Sequence, residues 1–240
     1  MSNKYVDFVS DENFERAVKR VMDEYDEYEL EISESKPIDI LLDKERQTID
    51  EFKTVFDLCT NDITLKKWTE REVERQIDKK INNRIGEFHQ ELLGYVDGWI
   101  DLGVGDPTEI DLKNEEETIF IELKNKYNTM NSSSKKTCRE KLEKVIEDNP
   151  DATAYWAYVI NKKYKSEDRV WIYKERDDER IRRISGDKLY ELITGDKDAL
   201  EKVLIAIPKA IKNIRELENE CISEEDNEIL EEYLIHVFKK

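Results

Sequence analysis

The stretch EIDLKNEEETIFIELK, residues 109–124, contains two short runs in which apolar and polar residues alternate. An alternation with a period of two is typical of half-buried β-strands. The polar cluster NEEE at positions 114–117 lies between the runs and predicts a hairpin loop. Apolar residues then occupy one face of the hairpin. The opposite face carries three ionisable residues that could take part in catalysis, namely Asp111, Glu122 and Lys124.

Two pairings of the hairpin are compatible with this pattern. A loop of residues 114–117 pairs Glu109 with Glu122 and places Asp111 diagonally from Glu122. A loop two residues longer puts Asp111 directly opposite Glu122. Both pairings keep the carboxylates on one face with Cβ atoms roughly 5 to 8 Å apart, within reach of one shared divalent ion.

These residue types suit the hydrolysis of a phosphodiester bond. Two carboxylates, helped by a backbone carbonyl such as that of Leu123, are ligands that Mg²⁺ prefers. The ammonium group of Lys124 can orient or deprotonate a metal-bound water and stabilise charge in the transition state. The alternative is an exposed hairpin with a polar face, because 41% of the chain is charged and such groups also meet by chance.

The spacing of these residues matches a known pattern. Asp111, ten further residues and then Glu122-Leu123-Lys124 resemble the D…(D/E)xK motif of the PD-(D/E)xK nuclease superfamily, with Ile110 where a proline often stands. A longer run from Ile85 to Asn131, with IGEFHQELLG, EIDLKN and TIFIELKNKYNTMN, resembles the type II restriction endonucleases that cut GGNCC. The resemblance covers about residues 80–165 and fades at both ends.

That resemblance implies a Mg²⁺-dependent restriction endonuclease of a restriction-modification system. Such an enzyme hydrolyses phosphodiester bonds in double-stranded DNA at a short palindrome. Asp111, Glu122 and the Leu123 carbonyl would hold the metal, and Lys124 would serve the attacking water. A palindrome cut on both strands implies a homodimer, because a two-fold symmetric target matches a two-fold symmetric protein. A cognate DNA methyltransferase is expected as a separate protein.

A helix predicted from Thr69 to Gly94 precedes the hairpin and carries Glu87 and Glu91 one turn apart. In the resembling nucleases a glutamate from this helix completes the acidic site. Glu87 is therefore the candidate fourth catalytic residue and Glu91 its substitute, while a solvated helix face explains either residue equally well. His89 is expected to be a partly buried or surface residue rather than a base.

Polar and basic residues follow the second strand at the start of a predicted helix. Amide and lysine side chains can read base edges, and hydroxyl groups near a helix N-terminus can bind phosphate. A polar loop with serine caps would have a similar composition. Because the loop leaves the catalytic strand directly, we expect it to contact DNA through Lys126, Asn128, Asn131, Ser132, Ser133, Ser134, Lys135 and Lys136.

The charge distribution bears on DNA binding. The net charge of −18 opposes association with phosphates. Residues 124–183, however, carry 16 Lys or Arg against 11 Asp or Glu, so positive charge is concentrated just after the predicted site. A second phosphate-binding surface, or a plain solvated face, is formed there by Lys162, Lys163, Lys165, Arg176, Arg180, Arg182 and Arg183.

The predicted fold class is α/β, a PD-(D/E)xK nuclease-like mixed central sheet flanked by helices. The apolar run at 154–160 predicts a buried strand joined to the hairpin by a right-handed βαβ crossover, and residues 168–174 predict a further strand. The chain divides into a helical N-terminal region (1–66), a catalytic core (67–186) and a helical C-terminal region (187–240), which together form one compact unit.

Composition excludes several classes of protein. The chain lacks a signal peptide and any apolar stretch long enough to span a membrane, so a cytoplasmic location is expected. Its three cysteines are widely spaced and predict reduced thiols rather than a zinc site. Two other functions stay open: a structure-selective DNA repair or junction nuclease of the same fold, and a non-catalytic acidic interaction protein that mimics DNA.

Overall fold

A computed structural model of the protein describes residues 3–34, 49–103 and 105–238. The chain forms two compact units. One consists of residues 21–84, and the other combines residues 1–20 with residues 85–240. The predicted boundaries near residues 66 and 186 remain predictions.

The helices account for most of the described chain. Their bounds are α1 Asp11–Glu34, α2 Glu51–Asn61, α3 Leu65–Gly94, α4 Ser132–Asp148, α5 Gly186–Thr194, α6 Ala199–Ile214 and α7 Glu224–Phe238. The helix before the hairpin thus begins at Leu65, four residues earlier than predicted, and Thr69 donates its hydroxyl to the Leu65 carbonyl instead of capping the helix. No helix in the described ranges is long and apolar enough to cross a membrane.

Six strands form one mixed sheet in the order β1-β2-β3-β4-β6-β5. They are β1 Trp99–Asp101, β2 Leu112–Asn114, β3 Ile119–Lys126, β4 Thr153–Ile160, β5 Asp168–Val170 and β6 Ile181–Ser185. The β3, β4 and β6 strands are parallel neighbours, and the other pairings are antiparallel. The predicted α/β class with a mixed central sheet is confirmed, as is the parallel pairing of residues 154–160 with the hairpin.

The β6 strand is absent from the prediction. Its sequence IRRIS has two arginines in the middle, and such a pattern is typical of a polar connection rather than of a strand. In the structure Arg182 pairs with Asp168 and Arg183 lies 3.4 Å from Glu167, so acidic partners accompany both charges in the sheet. The strand predicted at 168–174 is shorter than expected and lies at the sheet edge.

Helix α4 connects β3 to β4 and covers one face of the sheet. Its buried residues Cys138, Leu142 and Val145 belong to a core that also contains Phe120 of β3 and Trp156 of β4. On β3, side chains alternate between the two faces, and Ile121 and Leu123, which face away from α4, are also buried. Both faces of the central sheet are therefore covered, and the polar residues of β3 lie among buried neighbours.

Candidate active site

The hairpin has the longer of the two predicted loops. Leu112 pairs with Ile121 and Lys113 with Phe120, so the same count places Asp111 opposite Glu122. The Asp111 amide donates a hydrogen bond to the Ile121 carbonyl at 3.1 Å, one residue out of this count, so the regular ladder ends at Leu112 and Asp111 lies beside Ile121 and Glu122. The hairpin therefore brings the two carboxylates close together.

Lys124 joins the two acids. Its ammonium nitrogen lies 2.8 Å from Glu122 Oε1 and 3.7 Å from Asp111 Oδ2. The Leu123 amide donates a hydrogen bond to Asp111 Oδ2 at 2.6 Å, which fixes the Asp111 side chain against β3. Glu122 is only 4% exposed. The structure therefore brings together the three residues that the motif singled out.

The ionisation of this cluster reflects its burial. Burial first, and the neighbouring Glu122 carboxylate second, raise the pKa of Asp111 to about 6. Burial alone would lower the pKa of Lys124, but the carboxylates of Asp111 and Glu122 outweigh it and raise that pKa. Two acids held close in a poorly solvated place favour the binding of additional positive charge.

The donor atoms fit a hard divalent cation. Glu122 Oε2 is buried and has no hydrogen-bond partner, although an unpaired buried carboxylate oxygen is costly. Among the described residues no three His, Cys, Asp or Glu side chains are grouped closely enough to hold a metal by themselves. Two carboxylates that leave the remaining positions to water and phosphate are typical of Mg²⁺.

The two candidate glutamates of α3 lie in different surroundings. Glu91 is buried, its carboxylate lies 3.0 Å from the Arg20 guanidinium, and it accepts a hydrogen bond from the Tyr95 hydroxyl. Glu87 is exposed, and its neighbour Gly86 packs close to Asn125, the residue after Lys124. The part of α3 that carries Glu87 therefore lies near the end of the Glu122-Leu123-Lys124 triplet.

Gln90 is a neighbour of the site that sequence reasoning missed. Its amide nitrogen donates to Asp101 Oδ1 at 2.7 Å and to the Asp111 carbonyl at 3.4 Å. It lies one helical turn after Glu87, so the spacing of the two residues was the available signal. Gln90 links α3 to the backbone of the residue that the motif places first.

A second lysine, Lys141 of α4, was also missed. Its ammonium nitrogen lies 3.8 Å from Glu122 Oε1 and 3.4 Å from the Glu109 carboxylate. The available signal was its spacing, three residues after Cys138 and four before Val145, which places it beside the buried stripe of α4. Lysines in such positions are often paired with an acid.

The predicted DNA-contact segment begins at the end of β3 and continues into α4. Asn131 caps α4 by accepting a hydrogen bond from the Ser134 amide at 2.9 Å. Lys135 lies over the Trp156 ring, and Lys136 pairs with Glu140 at 3.5 Å. The remaining members of the segment are exposed, namely Lys126, Asn128, Ser132, Ser133 and Ser134.

The arginines of the second basic segment are engaged with acids. Arg176 pairs with Glu143 at 3.0 Å, and Arg180 pairs with Asp178 at 2.7 Å. Arg182 and Arg183 have the acidic neighbours described above. The positive charge counted along the sequence is therefore partly neutralised here, which favours the solvated-face interpretation for these arginines.

His89 precedes Gln90 on α3 and packs against α5. Its Nδ1 atom is 2.7 Å from the Tyr190 hydroxyl of α5, and burial lowers the pKa of His89 to about 4. A neutral imidazole with one buried partner fits the expectation that His89 is not a catalytic base. It joins α3 to α5.

The low pKa of His89 predicts a loss of stability in acid. The unfolded chain takes up a proton near the ordinary pKa of 6.5, whereas the folded chain resists protonation until about pH 4. The free energy of unfolding should therefore fall as pH drops through this window, by at most about 3 kcal/mol. Urea unfolding at pH 7 and pH 4.5 measures the change, and His89→Gln should show a smaller one. Equal pH dependence in both proteins would contradict the assignment.

Comparison with known proteins adds to this geometry. A family model described as Eco47II restriction endonuclease matches residues 6–216. The type II restriction enzyme Sau96I of Staphylococcus aureus is 30% identical over 223 residues, which cover 88% of this chain and 81% of that protein. The type II restriction enzyme Eco47II of Escherichia coli is 31% identical over 160 residues, covering 62% of this chain and 66% of that protein.

Proposed function

Because the chain belongs to the Eco47II restriction endonuclease family, and is thus a site-specific endonuclease acting on double-stranded DNA, we propose that the acidic face of its β2–β3 hairpin is the catalytic centre. We propose Mg²⁺ as its cofactor and GGNCC as its target. The observation that carries the proposal is the buried Glu122 oxygen without a hydrogen-bond partner, opposite Asp111 and beside Lys124.

Three groups would hold the ion. They are the carboxylates of Asp111 and Glu122 and the main-chain carbonyl of Leu123 between Glu122 and Lys124. When bound, Mg²⁺ would polarise the phosphoryl oxygen and lower the pKa of the attacking water. The Leu123 amide, by holding Asp111 Oδ2, keeps that carboxylate aligned with β3. The other Asp111 oxygen is left for the cation.

Lys124 would act on the water and on the phosphate. Its ammonium group contacts both acids, so it lies where negative charge develops during hydrolysis. The pKa of Lys124 is raised, which keeps the group protonated. A protonated lysine can orient the attacking water and stabilise the pentacoordinate transition state at phosphorus. Accepting the proton of the water would require the two acids to be neutralised first, as a bound cation would do.

Glu87 is our proposed fourth acidic residue. Glu91 is already paired with Arg20 and Tyr95, and recruiting it would leave a guanidinium without its partner. Glu87 lies three residues before Gln90, on the same side of α3, and Gln90 reaches the Asp111 backbone. These contacts favour Glu87 over Glu91.

DNA would be held by the segment after the catalytic strand. Exposed amide, hydroxyl and lysine groups begin two residues after Lys124, so a duplex held at the catalytic centre passes them. The Asn131 side chain already caps α4, so Asn131 would contact DNA through its backbone rather than through its side-chain amide. The proposed contacts are Lys126, Asn128, Asn131, Ser132, Ser133, Ser134, Lys135 and Lys136.

Two partners belong to the proposal. A palindromic target cut on both strands requires two equivalent active sites, which a homodimer supplies. A separate DNA methyltransferase that modifies the same sequence would protect the host genome from the enzyme.

Digestion of phage-sized DNA tests the proposed function. The purified protein is incubated with the DNA in Mg²⁺, with EDTA as the metal-free control, and the fragment ends are sequenced. We expect discrete metal-dependent bands whose ends all derive from GGNCC. Discrete ends at another palindrome would refute the target alone, whereas a smear, or cutting confined to branched DNA, would indicate a structure-selective nuclease and refute the proposal.

A further inference from the structure

Lys141 of α4 contacts both strand segments that carry the acidic residues. Its ammonium nitrogen donates a hydrogen bond to the Glu109 carbonyl at 3.1 Å and lies 3.4 Å from the Glu109 carboxylate. The same nitrogen lies 3.8 Å from Glu122 Oε1 on β3. One side chain thus links the turn before β2 to the middle of β3.

The turn before β2 has a strained backbone. Glu109 has a φ of 55°, a left-handed conformation that is strained for a residue with a Cβ atom. It ends a short turn in which its amide donates to the Asp106 carbonyl at 2.9 Å. Asp111 follows two residues later, so the backbone of this turn acts together with the Leu123 amide to position the Asp111 carboxylate.

Lys141 also helps to orient Glu122. Lys124 and Lys141 both approach the Oε1 oxygen, at 2.8 Å and 3.8 Å. The other oxygen, Oε2, is the one without a hydrogen-bond partner. Two cations on one oxygen hold the carboxylate so that its second oxygen stays available.

We propose that Lys141 is a positioning residue for the cleavage reaction, fastening the turn that carries Asp111 to the strand that carries Glu122. The inference rests on the proposed function, in which Asp111 and Glu122 act together. A displacement of about 1 Å between catalytic groups can slow a reaction on the order of 100-fold, so this link affects the rate more than it affects the binding of DNA.

The test compares Lys141→Met with Lys141→Arg and with Lys144→Ala. Methionine keeps most of the aliphatic stem and removes the charge, arginine restores a cation, and Lys144 is an exposed lysine one turn further along α4. Hydrogen exchange of the peptide covering residues 105–113 reports the turn directly. Single-turnover cleavage reports the reaction, and DNA affinity in Ca²⁺ reports binding.

Lys141→Met should exchange several-fold faster in this peptide and cleave at least about tenfold more slowly, with DNA affinity within about twofold of wild type. Lys141→Arg should restore most of the protection from exchange and most of the cleavage rate, and Lys144→Ala should match wild type.

Unchanged exchange, or faster exchange with an unchanged cleavage rate, would overturn the proposal. Reduced DNA affinity with unchanged exchange would instead make Lys141 a phosphate contact. A wild-type protein that fails to cut DNA would refute the proposed function, while the exchange result would still decide whether Lys141 holds the turn.

Discussion

Lys124→Ala should lower the single-turnover rate of DNA cleavage by about 1,000-fold, because it removes a cation that contacts both acids. Affinity for the same duplex, measured in Ca²⁺, should stay close to that of wild type, since the change leaves the carboxylates and the DNA-contact segment in place. Folding should survive, because the Lys124 side chain is 31% exposed.

Lys113 provides a matched control for this change. It lies on the neighbouring strand β2 and forms its ion pair with Glu117 of the hairpin loop, away from the acid pair. Lys113→Ala should leave cleavage within about a factor of two of wild type, because its ion pair is formed with the hairpin loop rather than with Asp111 or Glu122. Wild-type cleavage by Lys124→Ala would remove Lys124 from the mechanism.

Gly186→Ala should destabilise the protein by at least about 3 kcal/mol, or prevent it from folding. A Cβ atom on this buried first residue of α5 would lie 2.3 Å from the Val159 carbonyl oxygen and 2.8 Å from the Val159 Cα atom. Because these are backbone atoms of β4, relief requires α5 to move away from the sheet. The midpoint of urea unfolding measures the effect.

Gly86→Ala is the matched control for the loss of a helical glycine. Its Cβ atom would lie 3.8 Å from the Asn125 Cβ atom, an ordinary contact. Alanine favours the helical conformation over glycine, so this change should raise stability by roughly 0.5 to 1 kcal/mol. Equal unfolding midpoints for Gly186→Ala and wild type would show that α5 and β4 are not packed as closely as described.

The hairpin was predictable because strands with one polar face leave a period of two in the sequence. The register was not, since both loop lengths put Asp111 and Glu122 on the same face and only the pairing of Leu112 with Ile121 separates them. The β6 strand escaped prediction because Arg182 and Arg183 make the strand look polar, and their acidic neighbours, Asp168 and Glu167, precede the strand by 13 residues or more.

The surroundings of the site were less predictable than its motif. The choice between Glu87 and Glu91 rests on the contact of Glu91 with Arg20, which joins segments about 70 residues apart. Gln90 and Lys141 reach the site from helices whose packing on the sheet no local pattern specifies. Sequence patterns identify residues on one element, whereas a site assembled from several elements also requires their packing.

Metal-directed cleavage of the polypeptide locates the residues around the bound ion. Fe²⁺ replaces Mg²⁺ in the DNA-bound protein, and ascorbate with peroxide generates radicals that cut the backbone near the bound ion. We expect cuts within residues 109–124 that excess Mg²⁺ suppresses and that Glu122→Gln abolishes. Cuts confined to other parts of the chain, or cuts at 109–124 that Mg²⁺ does not suppress, would contradict the assignment of this hairpin as the catalytic centre.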